Sequence, residues 1–139
     1  MAGTVRTRTV GATAVLKQTG APVVTSETGG ILDVVAGVTP AGFSPIDLLY
    51  ASLASCLVLS LRIAAVRKGI ADKLDEVRVH VTGDKAEEGP SRVARLHIRF
   101  AISGGIDEAT RGDLIAAAEE ICTVSNTLRH KPDFLIARD

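Results

Sequence analysis

The sequence predicts an α+β fold in which antiparallel sheets pack around one long central helix. Short alternating segments separated by glycine and proline come first, a long apolar helix follows, and a β-hairpin and a further helix complete the chain. A length of 139 residues fits a single domain over 1–139, and 46% hydrophobic residues are enough for a sizeable core without disulfides or metals.

Charge and composition exclude several classes of partner. The formal net charge is zero, so no general attraction to nucleic acid or to anionic membranes is expected. Aromatic residues make up only 3% of the chain, which argues against a surface that stacks bases. The N-terminus lacks the apolar run of a signal peptide, and the most apolar stretch, 48–61, is shorter than a membrane span. We therefore expect a cytoplasmic protein that needs no cofactor and binds neither nucleic acid nor membranes.

The region from residue 4 to residue 35 has the pattern of short strands joined by turns. The segment TVRTRTV alternates, GAP and TGG break the pattern, and ILDVV is rich in β-branched residues. The stretch 36–43, AGVTPAGF, is then expected to be a loop that leads into the long helix.

The long helix is delimited by residues with strong positional preferences. Ser44 is a good N-cap, Pro45 suits the first helical position, and Asp47 at the third completes a capping-box variant. The helix is expected to run to about Lys68, with Gly69 as its stop, over roughly 36 Å. Its middle is apolar on nearly every side, so one small sheet does not cover it. The simplest cover for the remaining faces is the same helix of a second copy, which predicts a homodimer.

The C-terminal part is predicted to form a hairpin, two helices and a strand. In EVRVHVTGD and RVARLHIRFAI the apolar residues define one face of a hairpin, with arginine and histidine on the other. Asp107 is expected to cap a helix that runs to about Ile121, TVSNTLR to form a short helix, and PDFLIARD to form a strand. His80 and His97 are interpreted as exposed sheet residues, because no spacing supplies the further ligands that zinc needs.

The chain has two cysteines, Cys56 in the long helix and Cys122 at the end of the next one. One interpretation is that both are small hydrophobic residues of the core. The other is a redox pair, in which one thiolate becomes a sulfenic acid, the second thiol converts it to a disulfide, and an external dithiol resets the pair. The helix dipole does not activate Cys56, which lies about three turns into its helix. Spacing alone does not decide between the two interpretations.

The segments SPIDLLYASLASC and EEICTVSNTLR, in this order and at this separation, resemble the OsmC/Ohr family of hydroperoxide-detoxifying proteins. The segment TSETGGIL, residues 25–32, resembles the first hairpin of that family, and the likeness covers about residues 12–138. The resemblance implies an OsmC-like α+β subunit and an intertwined homodimer whose long helices pack together. It also implies a thiol-dependent peroxidase that reduces organic hydroperoxides and is reset by an external dithiol.

The resemblance also implies roles for particular residues. Cys56 corresponds to the peroxidatic cysteine, which attacks the peroxide, and Cys122 corresponds to the resolving cysteine. The family uses an acidic residue on the first turn of the cysteine helix and an arginine in the first hairpin loop to tune the thiolate. Asp47 corresponds to the acidic residue, and the loop offers Lys17 and Gln18 in place of the arginine.

Other positions depart from the family pattern. Ile46 stands directly after the proline, where one branch has the acidic residue, and Thr123 replaces the proline that follows the second cysteine. Asp47 and Cys56 are nine residues apart, which on one helix means opposite faces and about 13 Å along the axis. Asp47 therefore acts across a dimer or through a shared network, or it is only a helix cap.

Two classes of function remain open from the sequence. The first is the peroxidase. In it, apolar residues at helical spacing around Cys56 shape a pocket for the peroxide tail: Leu49, Leu53, Leu59 and Ile63. The second is a non-enzymatic dimer of the same fold, which binds a small apolar ligand or has a stress role while its cysteines stay redox-idle.

Overall fold

The computed structural model describes residues 10–37 and 40–139. It confirms an α+β chain with antiparallel sheets and one long helix. The chain divides into two compact units, 1–48 and 49–139, and each is described by itself. The single domain expected over 1–139 stays a prediction, and most of the strand expected at TVRTRTV lies outside the described residues.

The N-terminal unit contains a three-stranded antiparallel sheet. Its strands are β1, Ala12–Val15, β2, Val23–Ser26, and β3, Ile31–Asp33, in the order β1-β2-β3. The hydroxyl oxygen of Ser26 accepts a hydrogen bond from the Gly30 N–H at 2.8 Å, which closes the turn between β2 and β3. The predicted pattern of short strands and turns is therefore confirmed for the described part of this region.

The long helix α1, Pro45–Arg67, begins with reciprocal hydrogen bonds between Ser44 and Asp47. The Asp47 N–H donates to the Ser44 hydroxyl oxygen at 3.2 Å. The Asp47 carboxylate accepts from the Ser44 N–H at 2.9 Å and from the Ser44 hydroxyl at 2.8 Å. These bonds satisfy donors that the start of a helix otherwise leaves unpaired. The predicted capping-box variant is confirmed.

A Schellman motif ends α1 at the glycine that the sequence predicted as its stop. Gly69 has a φ of 71°, in the left-handed region, and its N–H donates to the Val66 carbonyl at 3.0 Å. The Ile70 N–H donates to the Ala65 carbonyl, also at 3.0 Å, which completes the motif. A 3₁₀ turn over Ala71–Lys73 then leads into the next strand.

In the C-terminal unit α1 packs on a long two-stranded hairpin. Strand β4, Leu74–Lys85, pairs antiparallel with β5, Val93–Gly104, and places Val79 opposite Phe100. The predicted alternation of apolar and polar residues along the hairpin is confirmed. The apolar face of the hairpin packs against the buried side of α1, while the arginines and histidines of the hairpin are exposed. The leucines on the buried side of α1 are at most 1% exposed: Leu53, Leu57 and Leu61.

Two further helices follow the hairpin, α2, Glu108–Ile121, and α3, Thr123–Arg129. The Asp107 carboxylate caps α2 by accepting a hydrogen bond from the Thr110 N–H at 2.8 Å. Leu114 of α2 is fully buried in the cluster that holds the C-terminal half of α1. The predicted cap, end point and short third helix are all confirmed.

The strand predicted for the C-terminal segment is wrong for the single chain. Residues 131–139 form no regular secondary structure and pair with no strand in the part of the chain that the structure describes. Phe134, Leu135 and Ile136 are 81%, 95% and 90% exposed. A strand needs a neighbour for its backbone hydrogen bonds, and an apolar sequence does not supply one.

Among the described residues, α1 is the one helix whose length and composition would let it cross a membrane. The apolar stretch 48–61 is too short to span a membrane, as expected, but the whole helix of 23 residues is long enough. One side of α1 is nevertheless buried against β4 and β5, as in the core helix of a globular protein. Length and composition are therefore weak support for a membrane span.

We predict that Gly104→Ala destabilises the protein and that the neighbouring Gly105→Ala does not. Gly104 has a φ of 143°, and a Cβ atom there would overlap the Lys73 carbonyl oxygen. At Gly105 the same atom would meet nothing within 4 Å. Strain and overlap should lower the free energy of unfolding of Gly104→Ala by roughly 2 kcal/mol or more, measured by urea unfolding. Equal stability of the two variants would contradict the predicted strain at position 104.

Candidate active site

Packing of α1 against the C-terminal helices brings Cys56 and Cys122 together. Cys56 lies in the middle of α1, directly before the fully buried Leu57. Cys122 separates α2 from α3, and its side chain is 0% exposed. Leu53, Leu57 and Val81 form one core cluster with Cys122, and the half-buried Cys56 packs at its edge.

The two thiols are free and lie near each other, because Cys56 packs against the core cluster that contains Cys122. In the sequence they are 66 residues apart, and their spacing did not show whether they meet. Proximity of the two sulfur atoms is a condition for the reaction of a sulfenic acid with a thiol to form a disulfide.

Cys122 also caps α3. Its sulfur accepts a hydrogen bond from the Ser125 N–H at 3.3 Å, in the position where serine or aspartate oxygens cap most helices. Ser125 is only 4% exposed, so water has little access to this bond. The position of the Cys122 sulfur is therefore fixed both by the core and by the first turn of α3.

Hydrogen bonds hold the pKa of the Cys56 thiol below its ordinary value. Burial acts in the other direction and alone would raise this pKa, because it disfavours the charged thiolate. Donors from its own unit outweigh burial and favour the thiolate: the Cys122 thiol, the Val124 N–H, the Ser60 hydroxyl and the Thr123 N–H. Cys56 therefore ionises more readily than an ordinary buried cysteine.

The pKa of the Cys122 thiol is raised. Burial is the main cause, and the hydrogen bond with Cys56 adds to it because Cys122 keeps its proton as the donor. The Ser125 N–H offsets only part of this effect. Cys56 therefore ionises first, and Cys122 remains a neutral thiol beside the thiolate.

A family model of OsmC-like proteins matches residues 38–136, which is most of the chain. The chain belongs to the OsmC-like protein family. The matched region contains α1, which carries Cys56, the β4–β5 hairpin, and the helices α2 and α3.

Solved structures share the fold of this OsmC-like protein. The OsmC-like protein of Mycoplasma pneumoniae aligns with a TM-score of 0.76 and 23% identity over 89% of each chain. An organic hydroperoxide resistance protein of Elizabethkingia anophelis aligns with a TM-score of 0.72 and 24% identity over 91% of each chain. The organic hydroperoxide resistance protein OhrB of Bacillus subtilis aligns with a TM-score of 0.66 and 24% identity, over 89% of this chain and 93% of OhrB. A search of curated proteins found no match.

The other predicted site residues, Lys17, Gln18 and Asp47, lie in the N-terminal unit. Lys17 and Gln18 are exposed in the loop between β1 and β2. The carboxylate of Asp47 is bound by Ser44, and these hydrogen bonds, first that of the backbone N–H and then that of the hydroxyl, lower the pKa of Asp47. Asp47 is thus a helix cap, and an active-site role for all three residues stays a prediction.

The apolar residues predicted to surround Cys56 have different environments in this OsmC-like chain. Leu53 is 1% exposed and belongs to the core, whereas Leu59 and Ile63 are 50% and 43% exposed. Leu49 is half-buried. By helical spacing Leu59 and Ile63 lie one and two turns beyond Cys56 on its outer side, so they form the open apolar surface next to the thiol.

The two histidines of the hairpin are exposed, as interpreted from the sequence. The strand register places His80 opposite Arg99 and His97 opposite Thr82. The Nε2 atom of His97 lies 2.8 Å from the Asp84 carboxylate. Within residues 10–37 and 40–139, no three His, Cys, Asp or Glu side chains are arranged to hold a metal ion.

Sequence reasoning missed three groups that lower the pKa of Cys56: the Val124 N–H, the Ser60 hydroxyl and the Thr123 N–H. Ser60 follows Cys56 by one helical turn, and this spacing is a signal that could have identified it. No local signal identifies the two N–H groups, because their position depends on how the start of α3 packs against α1.

We predict that Cys122→Ala raises the pKa of Cys56 and that Cys122→Ser raises it less. Alanine removes the hydrogen-bond donor and leaves Cys56 half-buried, whereas serine keeps an O–H donor. The thiolate is the reactive form, so the alkylation of Cys56 at pH 7 should slow about tenfold in Cys122→Ala. Iodoacetamide labelling at several pH values, followed at Cys56 by peptide mass spectrometry, measures this. Identical profiles for wild type and Cys122→Ala would show that Cys122 is not a donor.

Proposed function

We propose that this OsmC-like protein is a thiol-dependent peroxidase that reduces organic hydroperoxides through Cys56 and Cys122. The observation that carries the proposal is that two free thiols lie near each other, with Cys56 packed against the cluster that contains Cys122. The pKa of Cys56 is lowered and that of Cys122 is raised, which supports different roles for the two. Such a pair combines a nucleophilic thiolate with a second thiol that is already in position. Two of the proteins that share the fold are organic hydroperoxide resistance proteins, which supports a role in peroxide resistance.

In the first step the Cys56 thiolate attacks the terminal oxygen of the hydroperoxide. A sulfur–oxygen bond forms, the O–O bond breaks, and the sulfur becomes a sulfenic acid. The alkoxide that leaves takes a proton from water and is released as an alcohol. The sulfur loses two electrons and the peroxide gains them. The lowered pKa of Cys56 serves this step, because only the thiolate is a good nucleophile.

In the second step the Cys122 sulfur attacks the sulfenic sulfur of Cys56. A disulfide forms, and the sulfenic hydroxyl leaves as water with the proton of Cys122. An external dithiol then reduces the disulfide by exchange and is itself oxidised to a disulfide. A reducing cytoplasm suits this cycle, because it supplies dithiols and keeps both cysteines reduced between turnovers. We therefore place the reaction there.

The surroundings of Cys56 favour a peroxide with an apolar tail. Leu59 and Ile63 offer half-exposed apolar surface beside the thiol, and the inner side is closed by the buried Leu53. An alkyl or aryl tail gains free energy when it covers this surface, whereas hydrogen peroxide has no tail to bury. The proposed substrate class is therefore organic hydroperoxides.

We further propose that the active form is a homodimer built on the exposed side of α1. Leu59, Ile63 and Val66 are 50%, 43% and 63% exposed, although they lie together on one side of the helix. Ser52 and Ser55 precede them on that side, and their hydroxyls donate to carbonyls of their own helix at 3.0 and 2.7 Å. A second helix can therefore approach without leaving these hydroxyls unpaired. The same patch on a second copy covers part of this surface on both copies and leaves the part beside Cys56 open to the peroxide tail.

The C-terminal segment supports the same assembly. Residues 134–136 are large, apolar and almost fully exposed. In the described chain, β4 and β5 form a sheet of two strands, so each has an edge without a partner. A segment of this composition from a second copy would supply the neighbour that such an edge lacks.

We also propose that the loop with Lys17 and Gln18 assists Cys56 and that Asp47 of one subunit orients the loop. A cation near a thiolate stabilises it and lowers the pKa of the thiol. The ammonium group of Lys17 is a compact charge without the planar fork that locks an arginine to a carboxylate. Arginine in this loop should therefore activate Cys56 more strongly than lysine does.

Peroxide consumption in the presence of dithiothreitol tests the proposed reaction. We expect the wild type to consume cumene hydroperoxide catalytically and Cys56→Ser to lose this activity, because the nucleophile is gone. Cys122→Ser should react once with peroxide and accumulate a sulfenic acid, which dimedone traps. Consumption by Cys56→Ser at the wild-type rate would exclude the mechanism. A wild type that consumes no peroxide would favour the non-enzymatic, ligand-binding alternative.

The dimer is tested by sedimentation at micromolar concentration, where we expect a mass near two chains of 14.5 kDa. Leu59→Asp places a charge in the proposed interface and should shift the mass to one chain. Ala101→Asp is the control, because Ala101 is exposed on the polar face of β5. A folded wild-type monomer at this concentration would contradict the proposal.

For the loop, we expect Gln18→Arg or Lys17→Arg to increase the rate constant of Cys56 oxidation about tenfold, which corresponds to about 1.4 kcal/mol. Lys17→Ala should decrease it. Stopped-flow oxidation with an organic hydroperoxide gives the constant. If all of these variants oxidise at the wild-type rate, the loop is not an activator.

A further inference from the structure

A cleft of about 320 Å³ lies between β5 and α3, within the unit 49–139. Its apolar lining includes Leu53, which is only 1% exposed and belongs to the core cluster of Cys122. The other large apolar residues that line this β5–α3 cleft are Leu96, Ile98 and Leu128. A volume at the lower end of the range for small-molecule sites fits a small ligand with an apolar body.

Two arginines lie at the rim of the β5–α3 cleft, and none of the residues that line it is acidic. The side chains of Arg95 of β5 and Arg129 of α3 are 73% and 60% exposed. One guanidinium nitrogen of Arg95 lies 3.3 Å from the Asp84 carboxylate, and one of Arg129 lies 3.8 Å from that of Glu119. Ion pairs this exposed contribute little, and each guanidinium retains further N–H groups. The rim therefore favours an anion, and a carboxylate matches the planar fork of arginine.

Ser125 provides a third polar group in the cleft. The residue lines the cavity although it is only 4% exposed. Its N–H donates to the Cys122 sulfur, and its hydroxyl oxygen accepts from the Arg129 Nε at 3.4 Å. Among the hydrogen bonds of residues 10–37 and 40–139, the Ser125 hydroxyl accepts this one and donates none. Buried hydroxyls in proteins usually donate their proton, and a ligand oxygen in the cleft would supply the acceptor.

We propose that the β5–α3 cleft binds a small carboxylate with an apolar body. The carboxylate pairs with Arg95 and Arg129 and accepts a hydrogen bond from Ser125, while the apolar body lies over Leu53. The ligand thereby joins the hairpin to α3, a helix of only seven residues. Leu53 is on the buried side of α1, whereas the peroxide tail is proposed to cover the exposed side. The two sites are therefore separate, and this inference does not depend on the proposed peroxidase.

Binding of hexanoate to the full chain, followed by the NMR chemical shifts of its backbone amides, tests the site. We expect shifts at residues 94–98 and 125–129, with a Kd of about 1 mM or below for a ligand of this size. 1-Hexanol lacks the charge and acetate lacks the apolar chain, so each should bind at least about tenfold more weakly. No shifts up to about 10 mM hexanoate, or shifts centred on the exposed side of α1, would overturn the proposal. Equally tight binding of acetate or 1-hexanol would also overturn it.

Variants of the rim test which groups hold the carboxylate. Arg95→Gln and Arg129→Gln each remove one charge and should raise the Kd for hexanoate about tenfold. The matched control is Arg99→Gln, because Arg99 is another exposed arginine of β5 that does not line the cleft. Arg95→Gln leaves α3 unchanged and remains informative if Arg129→Gln fails to fold. If the arginines only cover apolar surface with their methylene groups, Arg95→Gln will bind with the wild-type Kd, and the proposal is wrong.

The alkylation of Cys122 by iodoacetamide gives a second measurement, which needs no peroxide. The Cys122 side chain is 0% exposed and its sulfur caps α3, so the reagent reaches it only when this region opens. A ligand that holds α3 to β5 should slow this alkylation about tenfold at about ten times its Kd. The alkylation of Cys56 in the same sample is the internal control and should not change. An unchanged rate at Cys122, or equal slowing at both cysteines, would contradict the proposed position of the ligand.

Discussion

The packing of α1 on the β4–β5 hairpin determines where the two cysteines of this protein lie. Leucines three to four residues apart bury one side of the helix, and this buried stripe sets the rotation of α1 about its own axis. With that rotation fixed, Cys56 points to the junction of α2 and α3, while Leu59 and Ile63 point outward. A substitution in the stripe that rotated α1 slightly would therefore separate the sulfurs without altering either cysteine.

Features that follow local rules could be predicted from the sequence. The start of α1 depends on Ser44 and Asp47, which are three residues apart, and its end depends on a glycine that tolerates a left-handed backbone. The faces of the hairpin follow from the strict alternation of apolar and polar residues along its strands. Once one face packs on a core, only one register places all the apolar residues on that face. These elements need no knowledge of the rest of the chain, and for this reason their bounds agree with the structure.

Features that depend on distant parts of the chain could not be predicted in the same way. Cys56 lies near Cys122 and Val124 only because the start of α3 packs beside α1. The strand prediction for the C-terminal segment is wrong because the expected partner is missing. PDFLIARD has the composition of a strand but no partner strand within the described chain. The roles of Lys17 and Gln18 stay predictions because they concern the N-terminal unit and a dimer.

The Cys122 sulfur caps the first turn of α3, and Cys56 packs against the cluster that contains Cys122. If the proposed disulfide with Cys56 forms, the Cys122 sulfur becomes a poorer acceptor and turns toward Cys56, so the Ser125 N–H loses its acceptor. Loss of an N-cap lowers the stability of a helix by about 1 kcal/mol, which is a large effect for a helix of only seven residues. Oxidation of the two cysteines would in that case loosen the backbone of α3. The amides of α3 would then exchange faster in the oxidised protein than in the reduced protein.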